Sequence, residues 1–133
     1  MSAVTLTLRG RNRANLRMID ACTITRVTGS STDPQTGVVT PTLSTIYTGA
    51  CLFQHPPQPG LATSAVVGEA QLYQLPMAVH VPVTVTGVQV GDIVTATASV
   101  LDADLVGRKF WLRELAHKTY MTARRLGIEE VTG

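Results

Sequence analysis

Apolar and polar residues change rhythm once along this chain, near residue 20. Before it, in "VTLTLRGRNRANLRMI" (4 to 19), Val4, Leu8, Leu16 and Ile19 recur at helical spacing. That stripe predicts a short N-terminal helix, weakened by Gly10. After it the pattern alternates and is β-branched. "ACTITRVTG" reads as a strand, "GSSTDPQTG" (29 to 37) as a polar turn, and "LSTIYTGACLFQ" (43 to 54) as the returning strand. Gly49 marks an expected bulge or kink in it. The pair forms a hairpin with a long tip.

The next fifteen residues, "HPPQPGLATSAVVGE" (55 to 69), hold three prolines and two glycines, which predict a loop without regular structure. "AQLYQLPMAVHVPV" (70 to 83) follows as a strand, with Pro76 and Pro82 pointing to an edge or bulge. Gly91-Asp92 predicts a tight turn that launches "IVTATASV", and "LDADLVGRK" (101 to 109) is a further turn. In "KFWLREL", alternation places Phe110, Leu112 and Glu114 on one face and Trp111, Arg113 and Leu115 on the other. "KTYMTARRLGIEEV" supplies a closing strand interrupted by Gly127. One short helix and several strands with turns between them predict a mainly β fold. The expected form is a small antiparallel β-barrel or sandwich with long loops, divided into a helical arm (1–19) and a β-barrel domain (20–133).

Composition narrows the function. The chain has 133 residues, room for one domain, with 44% hydrophobic residues, 15% charged residues and a mean hydropathy of +0.19. No apolar run is long enough to span a bilayer, and the N-terminal arginines follow the apolar start instead of preceding it, so a soluble, non-secreted protein without membrane partners is expected. The low charge suggests a surface partly covered by partners. A net charge of +2 does not by itself imply nucleic acid. Cys22 and Cys51 read as buried small side chains.

No set of residues has the spacing of a catalytic or metal site. Glu129 and Glu130 are consecutive, and on a strand they face opposite ways, as do Arg124 and Arg125. Ion pairing suits them better than acid–base work. His55, His80 and His117 fall on separate elements without metal-ligand spacing. Asp102 and Asp104 begin like a calcium loop but lack its later ligands, and capping of a turn is the better reading. No nucleophile elbow and no phosphate-binding glycine motif occurs. No enzyme and no cofactor is expected. Of the six aromatics, only those in "RKFWLR" are interleaved with basic residues, which leaves a single-strand-binding barrel as a minor alternative.

"VQVGDIVTAT", "DADLVGRKFWLREL" and "TARRLGIEEV", preceded by "MIDACTITR" and "YTGACLFQ", resemble in this order small head–tail joining proteins of tailed bacteriophages, mostly of actinobacterial hosts. The resemblance spans roughly residues 16 to 132 and is closest to the head-closure, or stopper, class. It implies a structural protein of the virion neck, made in the host cytoplasm. Such a protein forms a homo-oligomeric ring, on the order of six or twelve copies in closed symmetry. Its partners would be a head–tail adaptor and a tail terminator or tail tube protein, with packaged DNA nearby in the channel. A tail-completion or tail-terminator subunit of the same region is the alternative. The loop at His55, Pro56, Pro57, Gln58, Pro59, Gly60 and Leu61 is then the candidate channel element, with the hairpin tip at 29 to 42 as its rival. Arg9, Arg11, Arg13, Arg17, Arg124, Arg125, Glu129 and Glu130 are the candidate inter-subunit contacts.

Overall fold

A computed structural model of the chain describes residues 2–55, 63–67, 70–74 and 77–131, the segments 63–67 and 70–74 as backbone. It is mainly β, with one N-terminal helix, α1 (Ala3–Arg17), and eight strands: β1 (Asp20–Thr32), β2 (Val39–Gln54), β3 (Thr63–Val67), β4 (Ala70–Gln74), β5 (Met77–Val81), β6 (Ile93–Ala98), β7 (Lys109–Leu115) and β8 (Arg124–Glu130). Six strands form one antiparallel sheet. Its pairing runs β1-β2-β5-β8-β7-β6 and returns to β1, so the ladder closes on itself. Closure removes the free edges that a small sheet would otherwise expose.

A six-stranded ring encloses little space, so side chains fill it. Cys22, Ile24, Cys51, Val79, Val81, Val94, Ala96, Phe110, Leu112, Leu126 and Ile128 form the buried core with Val85 and Leu105. Most alternate along their strands, as a period of two requires. Phe53 adds a tilted ring contact to Phe110, with centroids 5.4 Å apart. The cysteines are buried and unbridged, as read from their apolar surroundings.

Several expectations need correction. The segment 55–69 is not wholly irregular: Thr63–Val67 forms a strand that pairs with Ala70–Gln74 in a separate two-stranded sheet. Backbone pairing there overrides the breaker signal, whose prolines all precede residue 60. The expected single strand 70–83 is therefore two strands in two sheets. In β7, Leu112 pairs with Ile128 but Glu114 pairs with Gly127, so Arg113 is an extra residue. This bulge resets the alternation. Phe110 and Leu112 stay inside, Glu114 becomes exposed, and Leu115 turns toward the core.

Gly49 is not itself the bulge. The β1–β2 register skips Ile46 and Thr28 instead. A Cβ on Gly49 would lie 2.7 Å from the Tyr47 hydroxyl, which donates to the Ala50 carbonyl, so close approach is what keeps this position glycine. The Gly91-Asp92 turn forms as expected, with Gly91 at φ +97.

Candidate interaction surface

Two features project from the barrel wall. The first is α1. Ser2 caps its N-terminus, accepting from the Thr5 N–H at 3.2 Å. Arg17 in its last turn complements the helix dipole. Thr7, Gly10, Arg11 and Ala14 are its half-buried positions, the side nearest the barrel. A Cβ on Gly10 would meet the Thr122 methyl at 2.8 Å, and Arg11 Nε donates to the Met121 carbonyl at 2.9 Å. Met18, buried, anchors the exit of the helix. The apolar stripe does not face the core: Val4, Leu8, Leu16 and Ile19 are all exposed, Leu16 at 80%. Thr7, Gly10 and Ala14 on that side are small, and Gly10 lets the helix approach Thr122 in the bend before β8.

The second projection is the distal half of the β1–β2 hairpin. β6 pairs only with Ala21–Thr25 of β1, and β5 only with Leu52–Gln54 of β2. Beyond them the two strands continue as a two-stranded arm, with Val27, Val39 and Leu43 exposed. Pro41 is tolerated there because the arm has open edges. The tip is a tight turn in which the Gly37 N–H donates to the Asp33 carbonyl at 2.8 Å. Gly37 sits at φ +73. The Asp33 carboxylate accepts from the Gln35 N–H at 2.9 Å, which holds its pKa below the ordinary value.

A bidentate ion pair fixes the root of this arm. Arg26 donates to both Asp92 oxygens, at 2.9 and 3.0 Å, and to the Gly87 carbonyl at 2.6 Å. Asp92, only 2% exposed, also accepts from the Gln89 N–H. The hydrogen bond from Arg26, ahead of the opposing cost of burial, raises the arginine pKa. Sequence reading missed this pair. Its members are 66 residues apart, and only the β1–β6 pairing brings them together.

The remaining expected site residues separate. His55 is exposed, and Pro56, Pro57, Gln58, Pro59, Gly60 and Leu61 lie outside the described residues. Arg124 ties β8 to the segment after β5, donating to the Val85 and Val83 carbonyls at 2.7 and 3.2 Å. It borders a cavity of about 170 Å³ lined also by Val85, Thr86, Gly87, Val88, Leu115 and His117. Arg125 is exposed. Glu129 pairs with Arg113 at 3.0 Å and Glu130 with Arg108 at 2.7 Å. The paired glutamates thus hold different arginines of their own chain. "RKFWLR" divides between Phe110 in the core and half-buried Trp111, with the Arg113 guanidinium 6.0 Å from the Trp111 ring centre. Asp102 caps the turn at Ala103–Leu105 by accepting from the Asp104 N–H, in line with the capping role.

His80 is buried on β5, opposite Leu52 of β2 and Arg125 of β8. Gln54 Nε2 stands 3.0 Å from His80 Nε2, so the amide donates to an unprotonated ring nitrogen. Burial first, then the charges of Arg125 and Arg17, hold the His80 pKa below its ordinary value. No group of three or more potential metal ligands occurs among the described residues, and no helix among them is long and apolar enough to cross a membrane.

Residues 10–129 match a family described as "Family of unknown function (DUF6093)", and the chain belongs to that family. No curated protein matches the chain, and no solved structure matches it.

Proposed function

We propose that this member of the family is a structural subunit of the bacteriophage neck, a head-closure or stopper protein. In this reading copies form a ring between the portal adaptor and the tail and help to retain the packaged genome. The observation that carries the reading is the pair of exposed projections on a small β core. Both α1 and the hairpin arm present large apolar side chains to solvent. Apolar side chains displayed together mark surfaces that meet partners. The core itself is filled by its own side chains, which fits a building block better than a ligand-binding barrel. The order of motifs from Met18 to Val131 supplies the link to head–tail joining proteins.

Cryo-electron microscopy of the virion neck tests this. The chain should trace as a ring between adaptor and tail, with α1 or the hairpin arm against a neighbour. Tracing it at the tail end of the joint would make it a tail-completion subunit. Virions whose neck and tail lack the chain would refute the structural role.

A further inference from the structure

We infer that the outward face of α1 is a docking surface for a different protein that offers an acidic groove with an apolar floor. The inference deepens the neck reading by giving one neighbour its chemistry. It is tested on the isolated chain, so its failure is distinct from a failure to find the chain in a virion.

The first argument is charge. Residues 1–19 contain four arginines and no carboxylate. Arg9, Arg13 and Arg17 stand at i, i+4 and i+8, about 6 Å apart along the axis. Like charges at this spacing disfavour a helix. No hydrogen bond or ion pair to the Arg9 or Arg13 side chain is made among the described residues, whereas Arg11 is engaged with Met121.

The second argument is burial. No residue of the fifteen in α1 is buried, and Gly10 weakens its middle. An isolated helix of this length is marginal in water, and most helical stability in proteins comes from packing an apolar face. Leu8 and Leu16, 50% and 80% exposed, flank the free arginines. Covering them while neutralising Arg9 and Arg13 would supply both missing contributions.

The mixture also selects the kind of partner. Leucine beside arginine is the chemistry of a protein interface core, where Arg is enriched. A nucleic-acid interface is more polar and more uniformly basic. A second copy fits poorly. Asp92, Asp104, Glu129 and Glu130 already hold arginines of their own chain, and Asp20 accepts from Ser99. Asp33, Asp102 and Glu114, the other described carboxylates, lie on three separate elements: the hairpin tip, the turn before Ala103 and β7. No acidic groove arises from them.

The test uses the full chain and a labelled synthetic helical peptide of Glu and Leu as probe, read by fluorescence anisotropy. Saturable binding that weakens with salt is expected. The double variant Arg9→Glu, Arg13→Glu should bind about tenfold more weakly or worse, because a charge reversal places like charges in the interface. Leu16→Ser should also bind more weakly, and the double variant Arg9→Ala, Arg13→Ala should fall between. All three sites are exposed, so none of the losses should come with a lower melting temperature. No peptide binding, equal binding by the double reversal, or equal binding of a Lys–Leu peptide would overturn the inference. Tighter binding of a short DNA duplex with the same arginine dependence would also overturn it, in favour of a nucleic-acid surface. So would self-association in sedimentation that the arginine variant abolishes, in favour of a second copy.

Discussion

Replacing Gly91 by valine isolates the backbone cost of the turn that launches β6. Gly91 stands at φ +97, and its N–H donates to the Leu112 carbonyl at 2.8 Å. One residue on, the Leu112 N–H donates to the Asp92 carbonyl at 2.9 Å, so the turn is tied directly to β7. A Cβ built on Gly91 meets nothing within 4 Å. The penalty therefore contains no clash, only the strain of a β-branched residue in a left-handed conformation, about 1–3 kcal/mol. For 133 residues the unfolding entropy near the midpoint is roughly 0.28 kcal/mol per kelvin, so the melting temperature should fall by about 4–11 °C. Gly29 is the control. It also has open space around a built Cβ, but no positive φ, and it lies in the exposed part of β1. Valine suits an extended strand, so Gly29→Val should leave the midpoint unchanged or raise it slightly. Differential scanning calorimetry of both variants decides the matter. An unchanged midpoint for Gly91→Val, or equal losses for the two, would refute the assignment of the cost to the Gly91 backbone.

Three further outcomes follow from the core and its titratable groups. Leu112→Ala removes a fully buried side chain from the middle of the barrel and should cost about 2–5 kcal/mol, read as a lower urea midpoint at unchanged slope. His80 has a lowered folded-state pKa, so the stability from keeping it neutral is present above its ordinary value of 6.5 and lost as pH falls below it. Melting temperatures should drop between about pH 7 and 5 in the wild type and less in His80→Gln, and parallel curves would refute the role of this residue. The hydrogen bond with Cys22, then burial, push the Cys51 thiol far above its ordinary value of 9.0. Iodoacetamide at pH about 8 should leave both cysteines unmodified in the folded chain, by mass spectrometry, and label both in urea. The raised thiol pKa also means that stability fully present below the ordinary value of 9.0 is lost as pH rises above it.

What the sequence determined by itself is the set of locally encoded features. The helix at Ala3–Arg17, the hairpin of β1 and β2, the turn at Gly91 and the mainly β antiparallel class all rest on neighbours within a few residues: a capping Ser2, alternating β-branched side chains, a glycine where φ must be positive. Burial of Cys22 and Cys51 was legible for the same reason. What only the tertiary structure decided depends on pairing between distant segments. The bulge at Arg113 leaves no local mark, yet it moves Glu114 out and Leu115 in. The ion pair of Arg26 with Asp92 exists because β1 lies beside β6. The direction of α1 is not legible locally, because helical periodicity gives the spacing of a stripe and not the surface it meets. Gly10 against Thr122 fixes the rotation of the helix, and that leaves Leu8, Leu16, Arg9 and Arg13 facing outward. Apolar spacing in a short helix cannot distinguish a face buried in its own core from one reserved for another chain, because both are selected by the same transfer of apolar surface out of water.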